Sequence, residues 1–449
     1  MTTPSTRGRL AAAVGGLALL LAACTGDGGA ESAAAATTAT AAATTAADAA
    51  ATPSPAPSLA PSSSALTAAT FERPDVDLAL EHVRVLAGEI GSRVSTTDEE
   101  RRAAEYIAAQ LEAAGYETSI EPFDATRTAD ESTVTLPGGA TLESTNALLN
   151  SPNVAASGRL VPAGLGRAVD LLDVDAEGAI LLLDRGVIEF RTKALNAQNA
   201  GAVGVIVVNN VPGPLINGTL GDTTVSIPIV AVDRRDGDAL ALLVDDGEAV
   251  DIVADLQSIT APSWNVAGRP TEPCDAYVGA HYDSVPTGPG ANDNASGTAA
   301  MLELARTHHA DGLCFLAFGS EEIGLVGSRA FVDGLDTDGV RFMLNLDVMG
   351  KLSRPVFMAS GDAGSRQLAD RAAAVAADAG YDVPRGSFPA NASSDHASFA
   401  AAGVPAITIT SGDDQFIHQP QDVVANVARD DLATMLEVAA LVLQDLLLR

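Results

Sequence analysis

The chain has 449 residues, 26 Lys+Arg against 58 Asp+Glu, and a formal net charge of −32, which argues against a nucleic-acid partner. With 47% hydrophobic and 19% charged residues, a collagen-like, coiled-coil or wholly disordered chain is excluded, and the length suffices for two or three domains with sizeable cores. The single long apolar stretch is N-terminal, so a multi-span membrane protein is excluded as well.

Arg7 and Arg9 precede an apolar run from Leu10 to Ala23, shorter than a bilayer span but of the length of a signal-peptide core. Its end, Leu21-Ala22-Ala23-Cys24, resembles a bacterial lipobox, in which the Cys thiol is acylated and becomes the new N-terminus. The other reading is a plain secretory signal with an incidental Cys. Residues 1–23 are therefore expected to be a lipoprotein signal peptide, with Cys24 carrying the lipid that anchors the chain, outside the cytoplasm, to the bacterial cell membrane. Residues 24–70 are almost entirely Ala, Thr, Ser, Pro and Gly, with only Asp27, Glu31 and Asp48 charged. Such a stretch cannot bury enough apolar surface to fold and reads as a disordered tether.

Folded sequence begins near Phe71. Val76, Leu80, Val83, Leu86 and Ile90 share one helical face. A second helix follows Thr97-Asp98-Glu99-Glu100, read as a capping box in which Thr97 and Glu100 each satisfy a free backbone N–H. Ala104, Ile107, Leu111 and Ala114 form its buried stripe, and Gly115 supplies the left-handed turn that ends it.

From about Thr141 to Ser258 the pattern changes to short apolar strands, Ala179–Leu183, Val203–Val208 and Ile227–Val232, with a helix-like Phe190–Ala200 between the first two. This segment contains no His and no Cys, so it houses no metal chemistry of the usual nitrogen-ligand kind. The order Gly178 to Gly186, then Phe190, Lys193, Ala197, Ala200-Gly201-Ala202 and Ile227-Pro228 resembles the protease-associated (PA) domain. That resemblance implies a non-catalytic insert, residues 141–258, serving as a lid or a protein-interaction module, with a role in limiting substrate access carried over from it. The flanking residues 71–140 and 259–449 would then form one discontinuous domain.

After the insert the strands become longer and more apolar, as in a sheet covered on both faces by helices. Ala276–Ala280 runs into His281-Tyr282-Asp283, Cys314–Ser320 into Glu321-Glu322, Phe342–Leu346 into Asp347, and Ala406–Thr410, after a loop, to His418. Functional residues in such sheets gather beyond the carboxyl ends of the strands. Two His and four carboxylates, with Asp293 in the Gly-rich loop Gly288–Gly297, suit a borderline-hard divalent metal with nitrogen and oxygen ligands.

His281-x-Asp283, Asp293-Asn294-x-Ser296-Gly297, Glu321-Glu322, Asn345-x-Asp347 and His418 stand in the order of the M28 metallopeptidases, which this chain resembles over essentially all of residues 71–449. Asn265-Val266-x-Gly268 and His418-x-x-x-Asp422-x-x-x-Asn426-Val427 match as well. The resemblance implies a zinc exopeptidase fold: a mixed, largely parallel α/β sheet covered by helices. It implies two zinc ions per chain, one on His281 and His418, the other on Glu322 and Asp347, with Asp293 bridging both. It also implies Asp283 behind the His281 ring and a cis peptide bond at Asp293-Asn294. Adjacent residues point differently, so Glu322 is read as a ligand and Glu321 as general base toward water and then general acid toward the leaving amine.

Some positions depart from the family. Several similar zinc aminopeptidases have a Tyr just before the last His ligand, where Ile417 stands here. Ser394-Asp395-His396 resembles a motif near the substrate cleft, with His396 either supporting the site or merely structural. His308 and His309 are expected on a helix surface. With Cys24 taken by the lipid, Cys274 and Cys314 are left to pair in an oxidising compartment. Each lies seven residues before a site residue, His281 and Glu321, so in parallel strands the two are expected at equal depth, and the fold resemblance implies that their strands are neighbours. The leading function is an aminopeptidase acting on peptides as a monomer. The alternatives are a single-zinc glutaminyl-cyclase-like aminoacyltransferase and a non-catalytic receptor or adhesin on a peptidase fold, and the sequence leaves open which end of a peptide is cut.

Overall fold

The computed structural model describes residues 69–449 except 212–217, 245–246, 271–272, 354, 390–391 and 413. The expected signal peptide, Cys24 and nearly all of the tether lie outside the described residues. No helix among the described residues is long and apolar enough to cross a membrane.

The first expected helix is two elements. Helix α1 (Val76–Val83) starts where the Asp75 side chain accepts the Asp77 N–H, and it passes into a wider π-helical stretch, Arg84–Ile90, that stops at Gly91 with φ 89°. Val83 and Leu86 are fully buried, with Val76, Leu80 and Ile90 packed at the rim of the same core. Helix α2 (Asp98–Ala113) buries Ala104, Ile107 and Leu111 completely and is capped by Thr97, which accepts the Glu100 N–H. The reciprocal half of the capping box is absent. Glu100 accepts the N–H of Thr96 at 2.6 Å, not that of Thr97, and takes the Ser263 hydroxyl at 2.7 Å. The cause is burial: the first turn of α2 packs against the sheet, and the carboxylate turns into the core.

Among the described residues one eight-stranded sheet carries the strands that end in candidate ligands. Its strands are β1 (Glu117–Asp130), β2 (Leu256–Arg269), β3 (Ala276–His281), β4 (Leu313–Phe318), β5 (Phe342–Leu346), β6 (Val356–Ala359), β7 (Arg385–Gly386) and β8 (Ala406–Thr410), in the spatial order β7-β6-β8-β5-β3-β4-β2-β1. The central run β8-β5-β3-β4 is parallel, while β2 and β1 add on antiparallel at one side and β6 at the other. Parallel strands need both faces covered. Ala276, Val278, Ala280, Phe315 and Ala317 face a core shared with α1, α2, α3 (Gly297–Thr307), α4 (Ala363–Asp378) and α5 (Arg429–Leu447). Tyr277, Cys314, Leu316, Phe318 and Met343 alternate onto the other face against Phe399 and Phe331.

Two expectations need correction. Residues 308–309 do not continue α3: they form a two-residue strand paired with Thr70–Phe71, and His308 is buried because Phe71 covers it. The two cysteines are not at equal depth. In the parallel ladder Tyr277 lies opposite Cys314 and His281 opposite Phe318, so the register is shifted by three residues. Glu321 and Glu322 lie beyond the strand end, whereas His281 is its last residue. Cys274, in the lead-in to β3, still reaches Cys314, with the two sulfurs bonded and a Cα–Cα distance of 5.7 Å. The bond closes a loop of sequence separation 40, for which chain entropy alone gives about 4 kcal/mol. Thiol titration of the unfolded, unreduced protein is expected to find neither Cys274 nor Cys314 free; titratable thiols at these two positions would contradict this.

A seven-stranded sheet forms the second unit. Its central strands Ile180–Asp184, Gly204–Val208 and Ile229–Val232 are mutually parallel, and the helix Phe190–Asn199 packs nearby. The strand Thr133–Thr135, upstream of the boundary expected at residue 141, is already part of it, paired with Ala249–Val253. The chain leaves the larger sheet along β1 and returns along β2. These two strands are paired over all 14 residues of each, from Glu117 opposite Arg269 to Asp130 opposite Leu256.

Candidate metal centre

The carboxyl ends of β3, β4 and β5, with the loop after β8, deliver the expected residues to one place. His281 Nε2 lies 3.3 Å from Asp293 Oδ1 and 3.3 Å from Asp347 Oδ1. His418 Nε2 lies 3.2 Å from Asp293 Oδ2 and 3.0 Å from Glu322 Oε2. Two clusters result, His281/Asp293/Asp347 and Asp293/Glu322/His418, with the candidate ligand atoms of each within 4.8 Å of one another. Asp293 belongs to both. The grouping differs from the one implied by resemblance, because β5 lies directly beside β3 and brings Asp347 to His281, while the loop after β8 carries His418 across to Glu322.

The donors, imidazole nitrogens and carboxylate oxygens, fit zinc. Glu322 Oε1 and Asp347 Oδ1 are buried with no hydrogen-bond partner among the described residues, as expected of oxygens reserved for a cation. Electrostatics agree. Burial opposes protonation of His281, yet the charges of Glu321 and Asp347, with Asp283 and Asp293, raise its pKa well above the ordinary value. His418 is raised chiefly by the charge of Glu322. Both shifts describe a cleft with more negative than positive charge, one that demands a cation.

Backbone placement is equally specified. The Asp293-Asn294 peptide bond is cis, as the resemblance implies. Asp422 accepts the N–H groups of Asn292 at 2.7 Å and Asp293 at 3.0 Å, fixing the loop that presents the shared carboxylate. Asn294 Oδ1 accepts the N–H groups of Gly297 and Val348, tying that loop to the end of β5. Ser320, Val348 and His418 have φ of 57°, 59° and 60°. Left-handed backbone is costly for such side chains and persists where surroundings hold it, so the sharp exits from three strands or loops are part of the site.

Asp283 is fully buried with Oδ1 3.5 Å from His281 Nδ1, behind the ring as expected. It also accepts the N–H groups of Glu321 at 3.0 Å and Glu322 at 3.2 Å, a role the sequence motif did not show. Glu321 belongs to neither cluster. Burial, reinforced by Asp395, Glu322 and Asp347 and opposed by His281, raises its carboxyl well above the usual range. Ser394, unassigned from sequence, donates to Asp347 Oδ2 at 2.6 Å and accepts from Asn345 Nδ2 at 2.6 Å. Asn345 Nδ2 also donates to Thr408 Oγ1, which bonds His396 Nδ1 at 2.9 Å. His396 stacks on Phe388, and burial lowers its pKa to about 4, so it stays neutral at the far end of a chain leading to Asp347.

Comparison with known proteins gives the family. Residues 266–443 match peptidase family M28 and residues 147–240 match the PA domain. The chain is 29% identical over 405 residues to aminopeptidase YwaD of Bacillus subtilis (strain 168), covering 84% of this chain and 87% of that protein. It is 33% identical to the probable lipoprotein aminopeptidase LpqL of Mycobacterium tuberculosis, covering 67% of this chain and 64% of that protein. Among solved structures, an aminopeptidase from Aneurinibacillus sp. strain AM-1 superposes with a TM-score of 0.57 at 30% identity, covering 83% of this chain and 94% of that one. The zinc aminopeptidase BSAP from Bacillus subtilis gives a TM-score of 0.66 at 27% identity, covering 83% and 95%.

Proposed function

Because the chain belongs to peptidase family M28 and carries a PA insert, we propose that its two clusters hold two zinc ions and that Glu321 carries the proton in hydrolysis of N-terminal residues from peptides. It is a zinc exopeptidase of the aminopeptidase kind. The observation that carries the two-ion reading is Asp293, whose Oδ1 faces His281 and whose Oδ2 faces His418. A single-zinc aminoacyltransferase needs one cluster, and a decayed receptor would not retain both complete.

Zinc bound here would polarise the scissile carbonyl and lower the proton affinity of a water. Glu321 lies against this cluster without belonging to it, so its carboxylate is free to accept the water proton and return it to the departing amine. Asp283 holds the backbone of both glutamates and fixes which one faces the water. Ser394 and Asn345 hold Asp347, and Asp422 holds the Asp293 loop. Ile417 offers no hydroxyl to a developing oxyanion, a charge that bound zinc would stabilise.

The test is hydrolysis of leucyl p-nitroanilide beside its N-acetylated form, with zinc counted after dialysis. Cleavage of only the free amine, abolished by a chelator and restored by zinc, with about two zinc per chain, is the expected result. One zinc per chain, or equal cleavage of the acetylated compound, would overturn it. The lipobox-like Leu21-Ala22-Ala23-Cys24, together with the likeness to LpqL, supports acylation of Cys24 and an extracytoplasmic, membrane-anchored enzyme.

A further inference from the structure

Glu100 is fully buried, on the first turn of α2, and no Lys, Arg or His pairs with it among the described residues. A buried carboxylate without a cation is costly unless its oxygens are filled by donors. Here they are. Oε2 accepts the Thr96 N–H at 2.6 Å and Oε1 accepts the Ser263 hydroxyl at 2.7 Å. The Ser320 hydroxyl in turn donates to Ser263 Oγ at 2.9 Å.

The next two amides, those of Glu321 and Glu322, go to the buried Asp283. Three consecutive residues at the end of β4 are thus tied to two buried carboxylates, Glu321 and Glu322 to Asp283 through their N–H groups and Ser320 to Glu100 through the Ser263 hydroxyl. Ser320 needs that hold, since its left-handed φ of 57° is one that only surrounding contacts make stable. The approach is close: a Cβ on Gly319 would meet both Glu100 Oε1 and Ser263 Oγ at 2.7 Å.

We propose that Glu100 is a positioning residue for Glu321, setting from α2 the turn at Ser320 that aims Glu321 away from its neighbour Glu322. The inference rests on the reading of Glu321 as proton carrier. Through Glu100 the first turn of α2, far from the metals in sequence, controls the direction of one catalytic side chain and leaves the ligands alone.

A double-mutant cycle tests this. Glu100→Ala is expected to lower kcat by about 10-fold or more, as a misplacement near 1 Å does, with KM changed less than about twofold and zinc content unchanged. In the E321Q background the same change is expected to cost less than about twofold, because its route to the chemistry is gone. Glu100→Gln, which keeps an acceptor oxygen, is expected to recover most of the loss. If Glu100→Ala does not fold, Ser263→Ala removes the bridge between Glu100 and the Ser320 hydroxyl and is read in the same cycle, with a smaller loss expected. An unchanged kcat, a loss of zinc, or equal losses in both backgrounds would overturn the inference. An E321Q enzyme as active as the wild type would overturn the proton-carrier reading and this inference with it, a result distinguishable from the others because it needs no change at Glu100.

Discussion

Glu321→Gln is expected to lower kcat by about 100-fold or more while both zinc ions stay bound and KM changes little. The amide has the size of the carboxylate and cannot accept a proton. Glu321 contributes no atom to either cluster, so the candidate ligand set of His281, Asp293, Asp347, Glu322 and His418 is left complete. Steady-state kinetics beside metal analysis of the same sample separates the two glutamates. Glu322→Gln, by contrast, would weaken one cluster. A Glu321→Gln protein that emerges from dialysis without zinc would mean that the adjacent glutamates have been assigned the wrong way round.

Asp293→Ala should be more damaging still. Its two oxygens serve different clusters, at 3.3 Å from His281 and 3.2 Å from His418, so removing one side chain leaves two residues in each. Groups that merely orient ligands are worth about 10–100-fold in metal affinity. Loss of a ligand shared by both clusters is therefore expected to weaken binding by about 100-fold or more at each and to abolish measurable hydrolysis. The readout is zinc content after dialysis beside a circular-dichroism spectrum showing the fold intact. A variant that keeps one ion at full occupancy would show that Asp293 is not shared.

Much of this site was legible in the amino-acid order because its parts lie at the ends of four apolar runs. A chain that must bury both faces of a strand has few reasons to place His281, Glu322 or Asp347 where it does, and the near-continuous apolar run preceding each marks the strand. Pairing of the ligands was not legible. It depends on β5 lying beside β3 and on the path of the loop to His418, and both are settled by contacts between distant segments. The same holds for the three-residue shift between β3 and β4: run lengths mark where apolar residues stop and say nothing of where the backbone turns. Glu100 resembles a helix cap in any local window, and only the packing of α2 against the sheet shows what its carboxylate holds. His308 follows an amphipathic helix and owes its burial to Phe71, more than two hundred residues earlier.

The β1–β2 ribbon also bears on how the chain folds. Thr126 and Thr260 share a hydrogen bond across 134 residues of sequence. Closing a flexible loop of that length costs roughly 4 kcal/mol of entropy by the logarithmic law, before any sheet contact repays it. The insert removes most of that penalty if it folds first. Its own first and last strands are paired, Thr133 opposite Val253, so once it is formed Asp130 and Leu256 emerge side by side. From then on the larger sheet meets β1 and β2 as an ordinary hairpin, with a folded body in place of a turn, and the slow long-range search shrinks to a local zippering.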